Sequence, residues 1–365
     1  MANHPLPARR APCFTRLLAH GLAHVLGQVP ARGPARGPAK VLSRMLAAGA
    51  LFAGTAVQAE QIVISNYGVA TNGMPFAIAM EKGFFKEAGV TVSGILSSDG
   101  GGSTIRNLLG GKLAYGEAAP SAVVQAVQGG ADLRIISGNV HTVAEFVWIA
   151  MPNSPVNSIK DFKGKRIGFT NPASTSEALD HLLLEAAGLK KDDVTLQRTG
   201  GFGAGVSVLE VGGVDVVPIT EPLWSANPGK YKLVVAASDV LPPLSNVVGV
   251  TTGDALKNRP DFLRGVIRAR RKAVEFMYAN PKESAAIIAK VYNLDAGVAE
   301  RVVRGLLESE KKTGVPYWGP GDLRLDTMNN MMRAQRLVGA LKGDVDWSKL
   351  IDESVLPDDL KSKKK

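Results

Sequence analysis

The chain has 365 residues, 45% hydrophobic and 21% charged, a globular composition with length for two or three domains that excludes disordered and fibrous classes. Its formal charge of +10 is carried by the two ends: residues 1–59 hold seven Lys and Arg and no acid, and Lys361 and Lys363 to Lys365 close the chain. The body between them is near neutral, so the electrostatic footprint of a nucleic-acid binder is missing and no nucleic-acid partner is expected.

Residues 1–59 read as a targeting segment. The basic stretch Lys40 to Arg44 precedes an apolar run from Met45 to Val57, which is too short to span a bilayer and ends in the small-residue pattern Val57-Gln58-Ala59. Cleavage between Ala59 and Glu60 and export to the periplasm are expected, and a translation start near Val41 would leave a leader of ordinary length. The single cysteine, Cys13, falls in this leader, as do three of the five histidines. The mature chain then has no disulfide and no thiol chemistry, and His141 and His181 alone cannot assemble a His/Cys metal site. No metal and no cofactor are expected.

From Glu60 onward short β-branched runs alternate with amphipathic helical stretches, the mark of an α/β fold, and the alternation occurs twice. The first unit opens with a strand at Gln61–Ser65, then Asn66, and the spacing predicts a helix over 75–87. Strands near Val90, Lys112–Tyr115 and Leu133–Ile136 follow, with Gly110-Gly111 and Ala119-Pro120 between them. The second unit opens with a strand at Lys165–Thr170, then Asn171, and a helix over 175–185. Strands near Val194, Val214–Val217 and Lys232–Val235 follow, with Gly212-Gly213 and Glu221-Pro222 in matching places. From the Val-Thr pair to the proline is 30 residues in one unit and 28 in the other, a register that implies two lobes of equal plan. Beyond Pro243 the pattern becomes helical, with stretches at 261–279, 281–291, 295–310 and 323–341. Arg264, Arg268 and Arg271 form a basic stripe on the first of these, readable as a solvated face or a docking surface.

Nucleotide and hydrolase motifs are absent. No lysine-containing phosphate loop, nucleophile elbow or His-Glu-x-x-His run occurs, and no catalytic residue is assigned. What is present lies at the carboxyl ends of the predicted strands, where parallel sheets place their ligands. There the chain puts Asn66, Asn72 and Gly73, then Ser98 to Ser103, Ser121, Asn171 to Ser176, Gly200 to Gly205, and Thr220 with Glu221. Several of these loops open into helices, whose free N–H groups can cradle an anion, although Ser174-Thr175-Ser176-Glu177 is equally a simple capping box. Arg106 is the only arginine close to these loops, which disfavours a multiply charged anion. Tyr67, Phe202 and Trp224 can stack on a ring or pack in the core. His141, following the fourth strand, is a candidate ligand contact or a plain loop residue, and His181 reads as structural.

Four segments carry a family resemblance: Glu81-Lys-Gly-Phe-Phe-Lys-Glu-Ala-Gly-Val90, Ser158-Ile-Lys-Asp-Phe-Lys-Gly-Lys-Arg-Ile-Gly168, Ala187-Gly-Leu-Lys-Lys-Asp-Asp-Val194 and Gly212-Gly-Val-Asp215 with Glu221-Pro222. In this order they resemble the nitrate, sulfonate, taurine and thiamine-precursor group of solute-binding proteins, which serve ABC importers. The resemblance implies a two-lobed periplasmic-binding-protein-like fold, with residues 60–149 and 239–365 in one lobe, 150–238 in the other, and crossovers near Ala150 and Ser238. It implies closure around a small polar or aromatic solute and a membrane permease as partner to a monomeric binding protein. Carried over from the family, the ligand loops correspond to Asn66, Gly101, Ser103, Asn171, Ser174 and Thr175, and the residues themselves add Tyr67, Ser121, His141 and Glu221. The alternatives are an enzyme on the same fold, against which the missing cysteine motif of the thiamine-pyrimidine synthase argues, and a sensor that binds without feeding a transporter.

Overall fold

The computed structural model describes residues 60–362, so the leader and its cleavage point lie outside the described residues. The first sheet has six strands: β1 (Glu60–Ser65), β2 (Val92–Ser98), β3 (Gly116–Ala118), β4 (Leu133–Val140), β10 (Val247–Thr252) and β11 (Trp318–Gly321), in the spatial order β11-β4-β10-β3-β1-β2. The other strands belong to the second lobe. β5 (Phe146–Ala150) lies between β8 (Val217–Thr220) and β9 (Lys232–Ala236), while β6 (Arg166–Phe169) pairs with β7 (Thr195–Arg198) and meets the lead-in to β8 through the parallel bridge from Ile167 to Val216.

Laid side by side, the two lobes read β2-β1-β3-β10-β4 and β7-β6-β8-β5-β9. The repeat is therefore real in space, with an exchange inside it. β5, the first strand after the chain leaves lobe one, runs antiparallel between β8 and β9, and β10, the first strand after its return, runs antiparallel between β3 and β4. The crossovers are consequently residues 141–145 and 241–246. They lie short of Ala150 and beyond Ser238, because the apolar run after Glu145 is already a strand of the second sheet.

Alternation along the central strands explains why both sheet faces are covered. In β1, Ile62 and Ile64 join the cluster under α1 (Met74–Glu81), whereas Val63 faces the opposite cluster under α3 (Gly101–Leu109) and α4 (Pro120–Gln128). In β5, Trp148 and Ala150 pack with α5 (Thr175–Ala186), while Val147 and Ile149 pack with Leu209 of α6 (Phe202–Glu210). The helix predicted over 75–87 is broken. α1 stops at Glu81 and α2 (Phe84–Glu87) restarts after Gly83, whose φ of 72° is a left-handed conformation that glycine adopts without steric cost.

The helical C-terminal third divides between the lobes. After α7 (Ala237–Val240) and α8 (Gly253–Asn258), the long helices α9 (Pro260–Ala279), α10 (Pro281–Tyr292) and α11 (Ala296–Glu308) close the first lobe's core through Leu263, Val266, Ile288 and Val302. α12 (Glu310–Thr313) leads toward β11. α13 (Leu325–Leu337) then places Met328 in the first lobe's second cluster and Met331 and Met332 in the core of the second lobe, before α14 (Trp347–Leu350). The segment 239–365 is thus not confined to the first lobe's packing. On α9 the basic stripe is mostly neutralised: Arg264 pairs with Asp261 at 2.8 Å, Arg271 with Glu275 and Asp359, and Arg268 donates to the carbonyl of Ala88.

Candidate functional site

A cleft of about 400 Å³ lies where the strand ends of both lobes and the two crossovers converge. Ser65, Asn66 and Asn72 reach it from the end of β1, Gly100 and Gly101 from the start of α3, and Ser121 from the first turn of α4. The second lobe contributes Thr170, Ser174, Thr175, Phe202, Glu221 and, at the start of β5, Phe146, and the crossovers contribute Glu145 and Asn246. A second chamber of about 650 Å³ shares Asn66, Ala70, Thr170, Phe202, Thr220 and Glu221 with it, and is walled by Val69, Leu223, Ala226 and Leu294.

Local chemistry at each strand end shapes the walls. After β1, the hydroxyls of Ser65 and Ser98 both meet Thr104 Oγ1, at 2.8 and 2.6 Å. After β6, Ser176 Oγ lies 2.9 Å from Thr170 Oγ1 and accepts from the Thr170 N–H. Four helices begin at the cleft. α5 is capped by Ser174, which accepts from Glu177 N at 3.2 Å, whereas α3, α4 and α6 have no side-chain cap and keep free N–H groups in the first turn. Asn66 and Ala173 both adopt left-handed backbone, with φ of 53° and 62°. Asparagine tolerates that region, while for alanine it is strained, and such strain gathers at ligand sites.

Beneath the floor sits a buried ion pair. Glu117 of β3 is 0% exposed and accepts from Asn72 Nδ2 at 2.9 Å and Asn139 Nδ2 at 2.7 Å, with Arg270 Nε of α9 3.5 Å away. Arg270, 2% exposed, also donates to the carbonyls of Gly319 and Asn139. Burial pushes the Glu117 carboxyl up, and the guanidinium opposes it. The Asn72 nitrogen is thereby committed to Ser65 O and Glu117, which leaves its amide oxygen without a protein donor among the described residues. At the crossovers, Asn246 Nδ2 donates to Glu145 Oε1 at 2.6 Å, so one crossover is bonded to the other. Glu145 is 5% exposed, its Oε2 has no hydrogen-bond partner among the described residues, and burial raises its pKa to about 8. Glu221 accepts from Ser225 N and Ser225 Oγ, and burial raises its pKa as well.

Of the residues singled out from sequence, Asn66, Gly101, Ser121, Ser174, Thr175 and Glu221 come together around the cleft. Four others do not line it. Tyr67 packs edge-on against Tyr292 with centroids 5.7 Å apart, and Ser103 Oγ turns back to the carbonyl of Gly100. Asn171 is exposed and accepts from Arg198 Nε at 3.1 Å. His141 is 0% exposed, with Nε2 3.0 Å from Asp322 Oδ1, and a Cβ at Gly319 would overlap its ring. β4 runs on to Val140, and the histidine after it turns toward the segment entering α13. Four lining residues did not stand out in the sequence: Glu145 and Asn246 of the crossovers, and Phe146 and Val247, which open the strands that follow them. A signal existed for Glu145, the only acid between Ser137 and Met151, directly ahead of an apolar strand.

Two lobes of one plan, joined by two crossovers with a polar cleft at the joint, constitute the periplasmic binding protein fold. The chain belongs to the NMT1/THI5-like family, which residues 70–284 match. It is similar, at 28% identity over 244 residues, to a protein of Brucella abortus (strain 2308) named only as a binding protein, a match covering 65% of this chain and 71% of the relative. It is 26% identical over 267 residues to an aliphatic sulfonates-binding protein of Bacillus subtilis (strain 168), covering 71% of this chain and 79% of that one. Among solved structures, the periplasmic aliphatic sulphonate binding protein of Escherichia coli superposes with a TM-score of 0.67 at 18% identity, covering 84% of this chain and 94% of that one, a likeness of fold.

Proposed function

We propose that this protein is the solute-binding component of an ABC import system, holding a small polar or aromatic organic solute between its lobes and passing it to a membrane permease outside the cytoplasm. The observation that carries this reading is the convergence of both lobes' strand ends and both crossovers on one polar cleft, in a chain whose relatives are named as binding proteins. The lobes can each hold half of a solute, which then gains its full contacts only when they approach. Export through a leader cleaved between Ala59 and Glu60 completes the proposal, with the mature chain acting as a monomer. Its test is native mass spectrometry of protein recovered from the periplasm, which should carry a bound small molecule. Small-angle scattering with that molecule restored to stripped protein should show a smaller radius of gyration. An unchanged profile at saturation counts against closure.

The two strand-end asparagines should part company. Asn66 lines the cleft and Asn171 bonds Arg198 at the surface. Asn66→Ala is therefore expected to weaken solute binding about 5- to 150-fold through loss of one or two hydrogen bonds, and Asn171→Ala to leave it within twofold. Calorimetry on both variants checks this, and equal losses would restore a symmetric pair.

A further inference from the structure

The charge of the cleft and its neighbour is one-sided. Among the described residues lining either chamber there is no Lys, Arg or His, while the carboxylates of Asp99 and Glu221 are present and Glu145, which burial keeps protonated up to about pH 8, supplies no charge of either sign below that. The amide groups add to the same side. Asn72 spends both N–H donors on Ser65 O and Glu117 and so offers the cleft only its acceptor oxygen, while Asn246 spends one donor on Glu145 and keeps its amide oxygen unbonded among the described residues. Arg301, whose charge acts on Glu221, bonds the carbonyl of Ser225 and lines neither chamber. The uncapped starts of α3, α4 and α6 oppose this with partial charges of roughly half a unit each, suited to a ligand's acceptor atoms. Glu221 is the carboxylate common to both chambers, and the second is walled by Val69, Leu223, Ala226 and Leu294. An anion without N–H donors meets carboxylates there and no cationic side chain, a mismatch that works against wrong ligands.

Resting on the solute-binding reading, we propose that the solute is a nitrogenous base of the amine or amidine class, whose N–H donors face Glu221 and whose apolar body fills the adjoining chamber. The cleft thereby turns away sulfonate-type anions, unlike the proteins named for them above. A matched series tests this: 2-phenylethylamine, 2-phenylethanol and 2-phenylethanesulfonate, titrated by calorimetry into stripped mature protein. The amine is expected to bind at least 10-fold tighter than the sulfonate, with the alcohol between. Glu221→Gln should lower amine affinity at least 10-fold and leave the alcohol within twofold, a split that a merely structural role for Glu221 would not produce. Sulfonate binding as tight as the amine's, or an amine affinity unmoved by Glu221→Gln, overturns the charge assignment and leaves solute binding standing. Silence from all three probes overturns the amine assignment, while solute binding stands or falls separately on the native mass spectrum.

Discussion

Arg270→Met is expected to cost the folded protein about 3–5 kcal/mol, because it leaves Glu117 buried without its cation. The two amide donors from Asn72 and Asn139 remain, yet they cannot replace a full opposing charge in a site closed to water. The loss should deepen with pH. Burial already raises the Glu117 pKa, and removing the guanidinium raises it further, so the native variant binds a proton that the unfolded chain releases above about pH 4.3. Stability of such a group falls as pH rises from the unfolded pKa toward the folded one, so the deficit is smaller at pH 5 than at pH 8. Urea unfolding at both values measures it. The double variant Glu117→Gln, Arg270→Met should recover much of the loss, since removing a whole buried pair is far less costly than breaking it. A single variant as stable as the parent at pH 8 would show that the pair is not desolvated as described.

Glu145→Gln is expected to act in the opposite direction and stabilise the protein at alkaline pH. The carboxyl is held protonated up to about pH 8 against about 4.3 in the unfolded chain, and each unit of difference corresponds to about 1.4 kcal/mol. The parent therefore loses stability as pH rises from about 4 to 8 and has lost it fully above 8. Glutamine keeps the acceptor for Asn246 and cannot ionise. The variant should gain about 2–4 kcal/mol over the parent at pH 8.5 and almost nothing at pH 4, after allowance for relaxation around the charged form. Tyr317, which lies beside the carboxyl, stays neutral across this range because burial raises its own pKa well above the ordinary value. Thermal melts of both proteins across pH 4–9 test the pattern. A constant offset between the two curves would mean that Glu145 is charged throughout.

How far the sequence reached follows from the range of the forces involved. Helix identity and most strands came through because alternation and helical spacing are local: α5 begins at Thr175 as expected and α9 spans Pro260–Ala279 against 261–279, whereas the strands expected at Lys112–Tyr115 and Val214–Val217 instead begin at Gly116 and Val217. The repeat came through because matching Gly-Gly and Pro positions preserve turns that local backbone geometry demands. Six of ten chosen site residues line the cleft because parallel strands deliver their carboxyl-end loops to one edge, a consequence of topology that spacing already implies.

Tertiary structure alone decided the rest. Nothing local distinguishes a strand that stays in its own lobe from one that crosses, so the antiparallel insertions of β5 and β10, and with them the crossovers at 141–145 and 241–246, had to come from sheet pairing. His141, Tyr67 and Asn171 have the chemistry of ligand groups but found partners in Asp322, Tyr292 and Arg198, residues 27 to 225 positions away in the chain. Glu117 and Arg270 became a pair, and Glu145 met Asn246, for the same reason. Burial and charge pairing depend on what the whole fold brings within a few ångströms, whereas periodicity reports only what each segment offers.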